Sequence, residues 1–452
     1  MKKINITKTI TLITSLSALL LLSGCGTEGT QSTHQLVGGT ITPKPPLPPK
    51  PKPPLPPSNE GKNFHLGFME NYTGEYPLNL QLYISSREGA DVTITLFGDV
   101  PVSFEKHVDA HQTISVDIDA EMEQKDIGKQ AKGIKITSNN NIVVVGLNQE
   151  KYTTDAYLAL PDQILSKEYY AVSYTSLISE EFSIVATEDN TTISFEAPEN
   201  SDEAVSVSEP IVLNEGETYQ FKSTDNLTGT HVTGDKNFVL LSGNVCADVP
   251  SGYYACDHLT EMIPPVDTWE KQFITVPLAT RTKGDSFRIL ASVDNTTIKI
   301  DGETITTINK GAFYETVLEG AKYIEADHPI LVVQYSNSSS YDDVTSDPFM
   351  AIVPAINQFD TEHLIQTPNG FTNYVNIVVP TANTSDIALD DTPIESSQFT
   401  QVSGNSQYSY TQISISEGAH KVTGNVPFGL SGYGYADYDS YGYPSTLKLT
   451  KH

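Results

Sequence analysis

The sequence is poor in cysteine, tryptophan and basic side chains, with three Cys, one Trp and 27 Lys plus Arg among 452 residues. Residues 1–62 hold seven lysines and two glutamates, so residues 63–452 carry a net charge of −34. An acidic body of this kind argues against binding to nucleic acid or to an anionic membrane surface. It fits a soluble body, or one that binds cations or basic partners.

The motifs of common catalytic sites are also missing. The sequence contains no HExxH zinc motif, no GxSxG nucleophile elbow and no glycine loop that would cradle a phosphate. Two acidic groups could hold a cation, namely Asp257 with His258 and Glu261, and Asp342–Asp343 with Asp347. For Asp257, His258 and Glu261 the alternative is a loop framed by a disulfide whose polar groups are satisfied, and for Asp342, Asp343 and Asp347 the cation would be Ca²⁺ held by oxygen ligands. We therefore expect neither enzyme activity nor a metal or cofactor.

Long hydrophobic runs are absent except near the beginning of the chain. A basic start, Met1-Lys2-Lys3, precedes a short apolar run from Ile10 to Leu22. This pattern predicts a secretory signal peptide over residues 1–24, because the run is too short for a stable transmembrane span. It ends in Leu22-Ser-Gly-Cys25, which resembles a bacterial lipobox. That resemblance implies cleavage before Cys25, lipidation of its thiol and, with Gly26 following, sorting to the outer membrane of a Gram-negative cell.

A tether is predicted over residues 25–62. Residues 27–40 are polar, and the segment Lys-Pro-Pro-Leu-Pro-Pro then occurs twice, at 44–49 and 52–57. Proline at this density favours polyproline II, which makes residues 43–57 a semi-rigid stalk of roughly 45 Å. A PxxP ligand for an SH3-like domain is the alternative. The stalk would hold the body clear of the lipid.

The body, residues 63–452, repeats itself four times. The clearest copies are Phe182-Ser-Ile-Val-Ala-Thr-Glu-Asp-Asn-Thr-Thr-Ile193 and Phe287-Arg-Ile-Leu-Ala-Ser-Val-Asp-Asn-Thr-Thr-Ile298, which lie 105 residues apart. Weaker copies occur at 80–96 and 375–389. A fixed period of this length is typical of a repeat architecture and shows which loops are equivalent.

Each repeat continues with a turn, an alternating strand and a hairpin that leads into a more continuous apolar strand. The apolar strands are the runs at 142–145, 238–241, 330–333 and 428–430. Short β-branched runs bounded by Gly, Asn and Asp predict strands, and no amphipathic helix longer than about two turns is evident. About 105 residues is the size of one β-sandwich unit. We therefore predict an all-β body of four tandem β-sandwich-like repeats, with a propeller of double blades as the alternative.

The loops that follow the apolar strands are equivalent in the four repeats and rich in Tyr, Asp, Ser and Gly. Three of them contain an Asp followed by an apolar run that ends in Pro. Tyrosine gives rigid amphipathic contact area and the small polar residues give adaptable hydrogen bonds, as in antibody loops. The alternative is that each Asp caps a turn. The predicted ligand-binding residues are Tyr152, Asp155, Tyr253, Tyr254, Asp257, His258, Tyr341, Asp347, Tyr435 and Tyr438.

Cys246 and Cys256 lie within one of these loops. Two cysteines this close in a secreted protein predict a disulfide, which would shape the loop rather than hold the fold. The segment Cys256-Asp-His-Leu-Thr-Glu261, with Pro264-Pro265 and Trp269 after it, resembles the N-terminal domain of IgGFc-binding proteins. Glu270 stands where that family has a glycine. The resemblance covers about 380 residues and implies an extracellular binding module, without identifying its ligand.

Two functions are compatible with these patterns. The first is a monomeric, lipid-anchored binding or adhesion module at the surface of a bacterial cell. It would engage a glycoprotein, mucin, polysaccharide or Fc-like protein through the Tyr- and Asp-rich loops. The second is a structural envelope component that binds another protein of its own cell.

Overall fold

The structure, a computed structural model, describes residues 59–72, 76–175, 178–198 and 209–452. The predicted signal peptide, Cys25 and the proline-rich stalk lie outside the described residues. The first strand begins at Gly61, so the β-body starts before residue 63.

Four successive groups of strands follow one another along the chain. The first repeat contains β1 (Gly61–Leu66), β2 (Asn79–Ser86), β3 (Ala90–Leu96), β4 (Val102–Val108), β5 (Gln112–Ile118), β6 (Gly128–Gln130), β7 (Ile134–Glu150) and β8 (Thr153–Leu158). The second contains β9 (Glu168–Tyr170), β10 (Glu180–Ala186), β11 (Thr191–Glu196), β12 (Ile211–Leu213), β13 (Thr218–Ser223), β14 (His231–Gly234), β15 (Phe238–Ala247) and β16 (Asp257–Met262).

The third and fourth repeats have the same plan. The third contains β17 (Glu270–Thr275), β18 (Asp285–Ala291), β19 (Thr296–Ile300), β20 (Glu303–Ile308), β21 (Phe313–Leu318), β22 (Lys322–Tyr335) and β23 (Met350–Ile352). The fourth contains β24 (Asp360–Thr367), β25 (Thr372–Pro380), β26 (Ala388–Leu389), β27 (Thr392–Pro393), β28 (Thr400–Gln401), β29 (Tyr408–Ile415), β30 (Gly418–Ala436) and β31 (Asp439–Pro444).

Helical structure in the described residues is confined to short segments. They are α1 (Ser339–Asp342) and the 3-10 turns Ala120–Met122, Val266–Thr268, Ile356–Gln358, Thr381–Asp386 and Ser396–Gln398. None of the helices in this part of the chain is long and apolar enough to cross a membrane.

All sheets are antiparallel, and the prediction of an all-β, sandwich-like fold is confirmed. In the first repeat the strand order is β4-β3-β7-β2-β5, with β1 and β8 also paired to β7. The third repeat has the equivalent order β20-β19-β22-β18-β21. The repeated Asp-Asn pairs form the turns between the opening strands, where Asn190 and Asn295 have φ of 54° and 59°. Asparagine tolerates this left-handed conformation better than most residues do.

The prediction of a hairpin before each apolar strand is wrong for three of the four repeats. In the first, third and fourth repeats both segments belong to one long strand, namely β7, β22 and β30. The first half of β7 pairs with β1 and β3, and its second half pairs with β2 and β8. Only the second repeat divides this strand, into β14 and β15. One strand therefore serves two sheets, and its second half carries the loop at one end of the repeat.

Candidate functional site

The last strands of the four repeats, β8, β16, β23 and β31, lie against one another. The Asp155 carboxylate in β8 joins them by accepting backbone N–H groups from Thr260 at 3.1 Å, Met350 at 3.1 Å and Gly442 at 3.3 Å. These donors come from the second, third and fourth repeats. Ala156 in β8 donates a further N–H at 2.8 Å. Asp155 is fully buried, and its hydrogen bonds connect its own repeat to the other three.

Asp257 and His258 are also buried, at the start of β16. One oxygen of Asp257 accepts the N–H of Thr154 at 2.8 Å, which links the first two repeats. Burial lowers the pKa of the His258 imidazole to about 4, so the ring is neutral at pH 7. Its Nε2 lies 3.3 Å from the side-chain nitrogen of Asn148. Tyr435 is buried within β30.

The prediction that Asp155, Asp257, His258 and Tyr435 lie on exposed loops is therefore wrong. The reason is that the apolar run after each Asp is a strand that is packed between the repeats, and the Asp belongs to that strand. A continuous apolar run is typical of a strand buried on both faces. That signal was present in the sequence.

Exposed loop residues instead line a groove to which all four repeats contribute. Its walls carry five tyrosines, all more than a third exposed, and we call it the tyrosine groove. The five are Tyr72, Tyr76, Tyr152, Tyr254 and Tyr438. The groove has a volume of about 610 Å³.

Exposed tyrosine is concentrated at this one place. Of the tyrosines in the described residues, six are exposed: the five of the groove and Tyr253, which precedes Tyr254. Tyr254 is the most exposed of them, at 74%. Tyr253 packs edge-on against the half-buried Tyr341, with ring centroids 4.8 Å apart. Tyr152, Tyr253, Tyr254 and Tyr438 are thus exposed, and their role in binding stays a prediction.

Cys246 and Cys256 form the predicted disulfide, and both residues line the groove. The bond joins the end of β15 to the start of the β16 segment and closes the loop that carries Tyr253 and Tyr254. The same loop is bonded to α1 of the third repeat. Ser340 donates its N–H to the carbonyl of Tyr254 at 2.7 Å, and the N–H of Tyr254 lies 2.6 Å from the Ser340 hydroxyl oxygen. The most exposed ring therefore stands on a backbone fixed from two repeats.

The other groove loops are fixed in a similar way. The N–H of Tyr438 donates to the carbonyl of Thr345 at 3.2 Å, which connects the fourth repeat to the third. Tyr76 and Tyr152 contact each other edge-on at 5.8 Å. The Lys151 ammonium lies 4.6 Å and 4.5 Å from the centroids of these two rings. Loops of all four repeats thus contribute to one surface.

Carboxylates also occur at the groove. Asp347 is 2% exposed and lines the groove, and Asp257 and Asp439 are buried next to it. Burial raises the pKa of Asp347 to about 7, and the nearby Arg281 opposes this while Asp248 and Asp437 add to it. Burial likewise raises the pKa of Asp439 to about 7. Burial, followed by the charges of Asp439 and Asp347, raises the pKa of Asp257 well above its usual range.

Each of these three side chains has one buried oxygen without a hydrogen-bond partner in the described part of the chain: Oδ2 of Asp257, Oδ1 of Asp347 and Oδ1 of Asp439. In the same part of the chain, no group of three or more His, Cys, Asp or Glu side chains is arranged to hold a metal ion. Unpaired carboxylate oxygens inside a protein are costly, since their hydration is lost without replacement.

Sequence reasoning did not find Tyr72, Tyr76, Lys151 or Asp439. Tyr72 and Tyr76 precede β2 and therefore lie outside the four equivalent loops. A signal was available, because Tyr72-Thr-Gly-Glu-Tyr76 has the same Tyr- and Gly-rich composition as the loop after β30. Asp439 lies within the fourth of the equivalent loops of the sequence, and in the structure it opens β31.

Comparison with known proteins connects this architecture to one family. A family model described as IgGFc binding protein matches residues 155–434, which begin in β8 and end in β30. The IgGFc-binding protein of Homo sapiens is 22% identical over 411 residues, which cover 84% of this chain and 7% of that protein. The chain thus corresponds to a small part of the length of this relative.

Proposed function

The chain belongs to the IgGFc-binding protein family, and from this membership we propose that it is a lipid-anchored binding module at a bacterial cell surface. The module engages a glycoprotein, mucin, polysaccharide or Fc-like protein through the tyrosine groove. It does so without catalysing a reaction.

One observation carries this proposal: five of the six exposed tyrosines of the described residues line a single groove, and the sixth, Tyr253, directly precedes one of them. Tyrosine has only two side-chain torsions, so a large contact area is ordered on binding at a small entropic cost. Its ring stacks on sugars or apolar groups, and its hydroxyl keeps a hydrogen bond available. Residues of this type dominate the energetics of many protein interfaces.

The lipid anchor rests on the sequence between Leu22 and Cys25. Acyl chains on Cys25 would attach the protein to a membrane, and the proline-rich stalk would separate the groove from the lipid. We expect Cys25→Ser to abolish labelling with a palmitate analogue and to move the protein from the membrane fraction to the soluble fraction. Unchanged labelling and fractionation would overturn the anchoring part of the proposal.

The binding part is tested on an array of glycans, mucins and IgG Fc. We expect saturable binding of the protein to one ligand class, and we expect Tyr254→Ala or Tyr438→Ala to weaken it by tenfold or more. Val100→Ala is the matched control, because Val100 is also highly exposed and lies outside the groove. Equal binding by all variants would mean that the groove is not the site. A blank array would favour a structural envelope component instead.

A further inference from the structure

We propose that the tyrosine groove receives a basic side chain of the protein partner, either a lysine ammonium or an arginine guanidinium. This inference rests on the proposed binding function and specifies the chemistry that the groove recognises. Three observations carry it: unpaired acidic groups, free aromatic faces and the charge of the body.

Three acidic groups lie at or next to the groove. Asp257, Asp347 and Asp439 belong to the second, third and fourth repeats, and each has a buried oxygen that lacks a hydrogen-bond donor in the described residues. Asp347 reaches the groove surface itself. A neutral sugar could stack on the tyrosines, but it would leave this concentration of acidic groups uncompensated. A cation that enters the groove would supply both the missing charge and a donor.

In the described residues, the cation that acts on Asp347 is Arg281, and its charge is shared with Asp285 and Asp342. Its Nη2 donates to the Ser336 hydroxyl at 2.7 Å, its Nη1 lies 3.6 Å from Asp342, and its guanidinium is 4.8 Å from the Tyr435 ring centroid. The three carboxylates therefore outnumber the cation that faces them.

The aromatic walls are suited to a cation. Lys151 already lies over the rings of Tyr76 and Tyr152, which shows that tyrosine faces in this groove accept an ammonium group. Tyr254 and Tyr438 also line the groove, and their rings make no ring–ring or cation–ring contact with described residues. A second cation that enters the groove could thus contact these rings and Asp347, which line the same groove.

The size of the site and the charge of the body point to the same class of partner. A groove of about 610 Å³ has room for one or a few side chains, within the usual range of ligand sites. Residues 63–452 carry a net charge of −34, which attracts basic partners from a distance. We therefore assign the occupant to a basic segment of a protein, and not to a free metal ion or a neutral glycan.

The test is calorimetric titration of the full chain with a hexalysine peptide in about 0.15 M salt, where general charge attraction is screened within about 8 Å. A hexapeptide of acetyl-lysine is the probe without charge. We expect Asp347→Asn and Tyr254→Ala to weaken hexalysine binding by about tenfold each. Asp99→Asn is the matched control, because it removes one charge at an exposed position outside the groove, and we expect a change of less than twofold.

A second readout distinguishes a specific site from diffuse attraction. A cation beside Asp347 and Asp439 favours their ionised forms, so binding should release protons and strengthen as the pH rises from 6 to 8. The measured heat should then depend on the ionisation enthalpy of the buffer. If Asp347→Asn fails to fold, Asp437→Asn replaces it, because Asp437 is exposed and acts on the same group.

Several outcomes would overturn the inference. One is an equal loss of hexalysine affinity in Asp347→Asn and Asp99→Asn, and another is binding of the acetylated peptide as tightly as hexalysine. The others are heats of binding that do not depend on the buffer, and occupation of the groove by calcium or glycans alone. The proposed function would still stand if an array ligand lost affinity on Tyr254→Ala while Asp347→Asn bound it normally. A blank array with intact hexalysine binding would instead remove the proposed function and leave the cation site.

Discussion

At the scale of single residues, the buried acids determine how the four repeats meet. Asp155 accepts N–H groups from Thr260, Met350 and Gly442, one from each of the other repeats. The sequence allowed the equivalence of these segments to be recognised. It could not show that the four segments converge on one carboxylate, because that depends on the closure of the whole molecule.

Replacement of Asp155 should therefore destabilise the entire body. In Asp155→Ala, four backbone N–H groups lose their acceptor in a site that water does not reach. A buried donor left without a partner costs about 1–3 kcal/mol. We expect a loss of at least about 3 kcal/mol in the free energy of unfolding, measured by urea titration. Asp99→Ala, at an exposed position, should change it by less than about 0.5 kcal/mol. Similar values for the two variants would contradict the role given to Asp155.

The raised pKa of Asp285 predicts that the stability of the protein depends on pH. Burial raises its pKa from 3.8 to about 7, with Arg281 opposing the shift and Asp342 adding to it. The folded protein then holds a proton that the unfolded chain has released, so this contribution to stability is complete below about pH 4 and is lost as the pH rises towards 7.

We expect Asp285→Asn to lack this contribution to the pH dependence. Between pH 4 and 7, the unfolding free energy of the variant should rise relative to that of the wild type by on the order of 2 kcal/mol. Urea titrations at several pH values measure it, and Asp99→Asn should show no such trend. A difference that is constant with pH would mean that Asp285 is ionised in the folded protein throughout this range.

At the scale of secondary-structure elements, alternating β-branched runs predicted the strands well, and Asp-Asn pairs predicted their turns. The long strands β7, β22 and β30 were missed. In each of them polar residues stand in the middle, such as Asn139–Asn141 in β7, where the strand passes from one sheet to the other. Such a segment resembles a turn in sequence, because its polar side chains reflect partial exposure and not an end of the strand.

The pairing of β15 with β16 makes a further prediction. A Cβ atom on Gly243 would lie 1.8 Å from the carbonyl oxygen of Leu259, so these strands can approach only where residue 243 has no side chain. We expect Gly243→Ala to lower the free energy of unfolding by about 3 kcal/mol, measured by thermal or urea unfolding. Gly98→Ala is the control, because its nearest neighbour would be 3.9 Å away and no positive φ is present. Equal stability of the two variants would show that the strands can separate at little cost.

At the scale of the whole molecule, the four repeats form a closed arrangement and not a linear array. The fourth repeat contacts the first through the ion pair of Arg87 with Asp360, at 3.1 Å, and through the hydrogen bond of Gly442 to Asp155. The described residues, from Asn59 onwards, belong to one compact unit. The number of repeats could be predicted from the sequence. Their closure could not, because the contacts that make it join residues almost three hundred positions apart and follow no periodic pattern.

Closure implies that the body should not tolerate loss of a repeat. In a linear array, removal of a terminal repeat costs mainly its own stability and one interface. Here, removal of residues 356–452 would break two interfaces, uncover the last strands of the first and third repeats, and take Leu447 and Leu449 out of the core. We expect the shortened protein to lack a cooperative thermal transition and to aggregate, as measured by circular dichroism and size-exclusion chromatography.

Removal of residues 451–452 alone is the control and should leave a single transition within a few degrees of the intact chain. A cooperative, monomeric product of the larger deletion would mean that the repeats fold as separate sandwiches, and that the tyrosine groove is built on three of them.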